Sequence, residues 1–178
     1  MNDMPYLRGI MDGDGYVNRG GTNPRLELWV TSHDFAISFS NALEVVGLIP
    51  HWRETDRTHT FNGYTWVSHY YIVRATCKER FLQSLADLNL LSEENKFAYL
   101  IGFFQAEGCF RIQKYPNREC WMWHITNKDL SKLRTVRLIL DSLGIKSGLI
   151  TKKDGMSMLY VQRRADIMKL SGFGVSKK

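Results

Sequence analysis

Asp14 and Glu107 each close an apolar, helix-length run, and each is followed by a glycine. Tyr6 to Gly15 reads YLRGIMDGDG, and 93 positions later Tyr99 to Gly108 reads YLIGFFQAEG. Small residues recur at i and i+4 in both copies, Gly9 with Gly13 and Gly102 with Ala106. They therefore share one helix face and let another backbone come close. If the two helices pack through those faces, Asp14 and Glu107 emerge side by side at their C-terminal ends. Two carboxylates at one packed seam repel each other and lose hydration, an arrangement that a divalent cation relieves.

The elements that would hold this pair form a repeat. After the first run, Tyr16–Asn18 starts a strand, and Arg25–Thr31 alternates apolar with polar. A helix over Asp34–Val46 follows, with Asp34 as cap and Gly47 as stop. Strands over His51–Thr55 and Tyr64–Arg74, joined by a polar turn across Asp56–Gly63, lead to a helix over Lys78–Ala86. In the second half Cys109–Tyr115 and Cys120–Thr126 form a hairpin around Pro116-Asn117. Then come a helix over Asp129–Leu143, paired strands over Ser147–Lys152 and Ser157–Gln162, and a helix over Ala165–Leu170. Thr31-Ser-His-Asp34 returns as Thr126-Asn-Lys-Asp129, the same strand-to-helix junction. The fold class is α+β: two pseudo-symmetric αββαββα halves, residues 1–88 and 97–178, joined by a linker over 89–96. Ser92 is placed to start the second motif helix.

Alternating strands offer one apolar face to the helices and one polar face to something else. Counted forward from the acids, that open face carries Tyr16, Asn18, Arg25, Glu27 and Trp29 in the first half, and Arg111, Gln113, Tyr115, Met122 and His124 in the second. The third and fourth strands add His51, Arg53, Thr55, His69 and Tyr71. Trp66, Phe110, Trp121 and Trp123 are assigned to the core. Arginine and glutamine on an outward strand suit base edges, whereas Lys78, Lys132, Lys152 and Lys153 fit phosphate contacts and a plain solvated surface equally well.

The paired segments resemble the motifs of the LAGLIDADG homing endonucleases, in their single-chain, two-motif form, and most closely those of the intron-encoded archaeal enzymes. One position departs: Gln105 stands where the motif has its first acid. The resemblance implies two saddle-shaped antiparallel sheets lying along the major groove of double-stranded DNA, and a double-strand break with short 3′ overhangs at a long asymmetric site. It makes Asp14 and Glu107 ligands of Mg2+, with Mn2+ or Ca2+ as substitutes, and adds the carbonyls of Gly13 and Ala106 to the shell. A water-ordering role falls to Asn127 in the second half and to Ser32 in the first, and the basic candidates near the scissile phosphates are Lys96, Arg111 and Lys128. Intron RNA is a second partner to consider, through a maturase role. A DNA-binding regulator should carry an added helix-turn-helix, for which no room is expected, and an intein should carry flanking splicing segments.

Composition agrees with a polyanionic partner without naming it: 24 Lys and Arg against 18 Asp and Glu give +6. Three cysteines without CxxC or Cys/His spacing argue against a disulfide framework and structural zinc. No apolar run reaches the ~18–20 residues of a membrane span, and the start lacks a leader pattern. The expectation is an intracellular monomer that does not engage membrane.

Overall fold

The structure is a computed structural model and describes residues 3–172. Its first half runs α1 (Asp3–Asp12), β1 (Tyr16–Asn18), β2 (Arg25–Val30), α2 (His33–Val45), β3 (His51–Phe61), β4 (Tyr64–Thr76) and α3 (Glu79–Ala86). Its second repeats the order as α4 (Glu93–Glu107), β5 (Gly108–Tyr115), β6 (Arg118–Asn127), α5 (Leu130–Ser142), β7 (Gly148–Thr151), β8 (Ser157–Val161) and α6 (Arg164–Gly172). Each half builds one antiparallel four-stranded sheet, ordered β1-β2-β4-β3 and β5-β6-β8-β7.

The core lies between the sheets and the helices. Leu26, Leu28, Val73 and Ala75 of the first sheet, and Trp123, Ile125, Leu159 and Val161 of the second, are wholly buried. Between the halves run α1 and α4. Helix α4 is buried from Phe97 through Phe104, the all-round burial of a helix packed on every side. The two helices touch through the small residues. A Cβ added at Gly9 would run into the carbonyl oxygen of Tyr99 and sit 2.7 Å from Phe103 N. One added at Gly102 would meet the carbonyl oxygen of Tyr6 and sit 3.0 Å from Ile10 N. The repeat in the sequence is thus a repeat in space, with each helix lending its glycine to the other's backbone.

Two local expectations change. Asp56–Phe61 is strand, not turn, so β3 and β4 form a continuous hairpin closed at Asn62-Gly63, whose φ angles are 49° and 80°. Two successive residues at positive φ make the tight primed turn that Asn-Gly favours, and its twist suits long strands. Helix α2 is capped by Ser32, whose Oγ accepts the Phe35 N–H at 3.3 Å, not by Asp34. Ser92 caps α4 and Asp129 caps α5 through their side-chain oxygens. Among the described residues no helix is long and apolar enough to cross a membrane.

The sheets depart from mutual symmetry at their edges. β4 pairs with β2 only over Tyr71–Thr76, so Thr55–Phe61 and Tyr64–Tyr70 continue as a free two-stranded ribbon. In the second half β8 stays paired with β6 along its whole length. There the projecting piece is instead the β5–β6 hairpin, from Arg111–Tyr115 to Arg118–Met122.

Candidate metal centre and nucleic-acid interface

At the C-terminal ends of α1 and α4 the chains are in contact. A Cβ at Gly13 would overlap that of Ala106 and lie 3.3 Å from Glu107 Cγ, so the backbone leading into Asp14 runs beside the Glu107 side chain. Asp14 is exposed and Glu107 half-buried. The Asn127 amide donates to Glu107 Oε1 at 2.6 Å. Its own Oδ1 accepts the Asp129 N–H at 2.7 Å, which fixes the amide's orientation. The groups that the motif ends would offer a cation here, the carboxylates of Asp14 and Glu107 and the neighbouring peptide carbonyls, are all oxygens. Among the described residues no three His, Cys, Asp or Glu side chains converge. Such a set fits a hard cation that keeps much of its own water, which is the habit of Mg2+, and it does not fit zinc.

Two reciprocal hydrogen bonds hold the seam just inside these acids. Tyr99 Oη donates to Asp12 Oδ2 at 3.0 Å. Tyr6 Oη, 93 positions earlier, donates to the Gln105 side-chain oxygen. Burial, followed by the charge of Asp12, pushes the Tyr99 hydroxyl well above its ordinary range; burial likewise takes Tyr6 to about 12. Both therefore remain donors at any working pH. The glutamine that departs from the motif now has a physical reason. Asp12 is paired with Arg8 at 2.9 Å, and Arg8 also caps the end of α3 through the carbonyls of Leu85 and Ala86. The residue that repeats Arg8 is Ile101. Without a cation the second copy needs an acceptor but not a charge, and glutamine supplies it.

Strand register decides which side chains share the open face. Tyr16 lies opposite Glu27, Asn18 opposite Arg25, Glu27 opposite Arg74, and Trp29 opposite Ile72. On β3, His51, Arg53 and Thr55 fall on that same side. In the second sheet Arg111, Gln113, Tyr115, Met122 and His124 share a side with Tyr160 and Met158. His69 and Tyr71 do not belong to the open face. Tyr71 pairs with Val30, a core position, and its ring lies 4.9 Å from that of His33 at the start of α2. His69 sits beside it, bonded to Asp56 at 2.7 Å. The error is one of parity: counting from the wrong residue turns a strand over.

Glu27 is on the open face but cannot reach out from it. It is 5% exposed and accepts from Tyr16 Oη at 2.6 Å and Asn18 Nδ2 at 3.1 Å, with Arg25 Nε at 3.7 Å. Burial raises its carboxyl, but these donors and the Arg25 charge outweigh burial and leave it below its usual range. It therefore organises Tyr16, Asn18 and Arg25. Ser32 has its hydroxyl oxygen committed to the α2 cap. Lys96 is misplaced as a partner of the acids: it lies in the first turn of α4, eleven residues and about 16 Å from Glu107 along the axis. Arg111 is on β5 with Nη2 3.3 Å from Met122 Sδ. Burial, aided by the charges of Arg111 and Lys152, lowers His124 below its usual value, so that ring is neutral near pH 7.

Sequence reasoning missed Arg57 and Trp66. Arg57 lies on the open face 4.2 Å from the centroid of the Trp29 ring, covering it. Trp66, assigned to the core, is 49% exposed on the same face and stacks with His59, ring centroids 5.3 Å apart. The signal was present in Arg53-Glu-Thr-Asp-Arg57, where period two puts both arginines on one face and both acids on the other. Trp123 is fully buried, and Phe110 and Trp121 pack half-buried against the core.

Residues 2–86 and 94–171 each match the family model of the LAGLIDADG-like domain. An uncharacterized protein of Methanocaldococcus jannaschii is 27% identical over 168 residues, which cover 85% of this chain and 58% of that protein, so the chain spans well under two thirds of that relative's length. The homing endonuclease I-DmoI, solved in complex with DNA and manganese, superposes with a TM-score of 0.63 at 18% identity, over 99% of this chain and 97% of that one. The N-terminal LAGLIDADG domain of DUF199/WhiA superposes with a TM-score of 0.66 at 15% identity, over 99% and 83%. At such identities the likeness to the solved structures is one of fold.

Proposed function

The chain belongs to the LAGLIDADG-like domain family, and from that premise we propose that it is a site-specific, metal-dependent DNA endonuclease. The reading has it act as a monomer on a long asymmetric site and leave short 3′ overhangs. One observation carries it: Glu107 and the backbone of Gly13-Asp14 meet at the seam between two sheets whose open faces bear arginines and no outward-reaching carboxylate. That is the place from which one protein can address both strands of a duplex. β-Ribbons fit the major groove, and arginine, asparagine and histidine on them match base edges and phosphates.

Phosphodiester hydrolysis joins a water oxygen to phosphorus and breaks the bond to the 3′ oxygen. A divalent ion held by Asp14 and Glu107 supplies charge neutralisation and a more acidic water. The chain's own groups do the rest. Glu107 is oriented by the Asn127 amide, which is itself anchored at the α5 cap. Arg111, four residues beyond Glu107 on β5, adds a permanent positive charge to the open face of the second sheet.

The test is a plasmid library of candidate insertion junctions incubated with Mg2+ or with EDTA. Asp14→Asn and Glu107→Gln should each lower double-strand cleavage by about three orders of magnitude or more, the scale of several kcal/mol of transition-state stabilisation. Binding measured with Ca2+ should stay within a few-fold of the parent. Undiminished cutting by either variant, or cutting in EDTA, overturns the assignment.

A further inference from the structure

The second sheet has a step in it. β6 begins at Arg118, but β8 ends at Val161 opposite Trp123, so Arg118–Met122 pair with β5 on one side and with no strand among the described residues on the other. In the first half β2 is paired with β4 from Arg25 opposite Thr76 to Val30 opposite Tyr71, which leaves no such step. Beside the free edge the chain turns into α6, and between them lies a groove of about 780 Å3 lined by the run Arg118–Met122, Gln162 and Arg164. Side chains on a strand alternate between two faces, so consecutive residues line one groove only along the strand's edge. There, alternate residues turn their N–H and C=O outward. Lysine, proline or a bulge commonly blocks such an edge. Cys120-Trp121-Met122 has neither lysine nor proline, and its register with β5 is unbroken.

We propose that this edge is a docking site for an extended acidic segment of a partner protein, which adds as a strand beside Arg118–Met122. The groove's charges select that occupant. Arg164 stands 4.8 Å over the Trp121 ring and Arg118 5.4 Å over the Tyr115 ring, so both guanidiniums rest on aromatic faces and keep their charge for a carboxylate. Glu119, the acid of the groove, is already engaged: it accepts from Trp121 Nε1 at 3.2 Å and has Lys114 at 4.0 Å. Trp121 is flanked by Arg164 and by Phe110, ring centroids 5.8 Å apart, and is not open to a stacked base. A second copy would bring the same arginines and add like charge. An added strand takes its affinity from ladder bonds along the main chain and its specificity from acids set against the arginines. The site lies toward the tip of the hairpin, far along β5 from Gly108 and the acid before it, and does not draw on the nuclease reading.

The experiment is fluorescence anisotropy of the full chain, in about 0.1 M salt, with a labelled octapeptide that alternates glutamate and valine. It is compared with an octapeptide of lysine and valine, and with a form of the acidic peptide N-methylated throughout, which keeps the charges but cannot donate to a ladder. The acidic peptide should bind at least about tenfold more tightly than the basic one. N-methylation should weaken it at least about tenfold. Arg118→Gln and Arg164→Gln should each weaken it about three- to tenfold. Saturating peptide should slow amide hydrogen exchange at alternate residues of Arg118–Met122 at least about tenfold, which a contact through side chains alone would not do. Equal binding of the acidic and basic peptides, undiminished binding of the N-methylated form, or unchanged exchange overturns strand addition. So does a chain that ignores the acidic peptide at about 1 mM. Loss of affinity for a single-stranded RNA pool in the two arginine variants, with peptide binding intact, would overturn it in favour of a nucleic acid, and a dimer that the peptide dissolves would give the edge to a second copy. No cleavage is read, so failure here leaves the metal centre standing.

Discussion

The two halves are alike where they touch and unlike where they end. At the seam, Gly9 meets the Tyr99 carbonyl as Gly102 meets that of Tyr6, and Tyr99 bonds Asp12 as Tyr6 bonds Gln105. At the rims the first half projects its outer hairpin and the second its inner one. Even matching cross-strand pairs differ. Counted back four residues from Thr31 and Thr126, the first half has Glu27 bonded to Tyr16, and the second has Met122 beside Arg111. The seam must place two acids in one geometry, so both copies answer to one constraint. The rims face different stretches of any partner, so nothing holds them equal. A duplicated chain of this sort suits an asymmetric ligand, whereas two identical subunits would favour a symmetric one.

The most damaging way to break this comparison is to put a side chain into the seam. Gly102→Val would drive methyl groups into the Tyr6 carbonyl and Ile10 N, backbone atoms that cannot step aside. A loss of more than about 4 kcal/mol in urea unfolding is expected, or no folding at all. Gly9→Val should do the same against Tyr99. Tolerance of one and not the other would show that the seam is not symmetric in energy.

Asn127→Ala tests the first difference between the halves. The amide that orients Glu107 has no equivalent in Ser32, which is occupied with the α2 cap. Removing it should slow cleavage of one strand about 10–100-fold, the usual cost of an outer-shell partner, and let nicked duplex accumulate. Equal slowing of both strands would tie the amide to the whole site and not to one half.

Gln105→Glu sharpens the Arg8 and Ile101 contrast. The new carboxylate would accept from Tyr6 with Ile101 where the first copy has Arg8, and with Asp3 adding negative charge nearby. At pH 7 this should destabilise by roughly 1–2 kcal/mol. A carboxyl that is harder to ionise in the folded chain has its pKa raised above the unfolded value, so the penalty should shrink as pH falls through that raised value and be gone below about 4.3. A melting-temperature difference that persists unchanged at pH 3 would exclude charge as the reason for glutamine at 105.

How legible all this was depends on which interaction sets each feature. The helices and the repeat follow from periodicity and from small residues at fixed spacing, which are local and survive in one dimension. The acids were legible because the same words recur before them. The extent of β3 was not, since Asp56–Phe61 is polar on both faces and polar strands look like turns unless their alternation is read by charge. His69 and Tyr71 were turned over because β4 was given its parity without the β2 register, which only the three-dimensional pairing supplies. Lys96 was proposed for its charge, although its distance from Glu107 could have been counted along the helix. Glu27 was correctly faced but wrongly exposed: no spacing rule shows that three neighbours, Tyr16, Asn18 and Arg25, close over it.

The smallest effect concerns the caps, where the halves solve one problem with different chemistry. Ser32 caps α2 with a neutral oxygen, and Asp129 caps α5 with a carboxylate that accepts from the N–H of Ser131 and of Lys132. The Ser131 hydroxyl, with those backbone bonds and the Lys132 charge, holds Asp129 below its ordinary value. A carboxyl that is harder to protonate in the folded chain adds stability above its unfolded pKa, near 3.9, and that stability is lost as pH falls through the lower folded value. Ser32→Ala should therefore cost about 1 kcal/mol at pH 7 and nearly as much at pH 3. Asp129→Ala should lower the melting temperature at pH 7 and lower it less as pH falls below about 4, because the parent's own cap is being protonated. Melting curves of both variants across pH 3–7 would decide it. Parallel pH profiles for the two would mean that Asp129 acts by geometry alone, and that at this junction the halves differ in residue but not in physics.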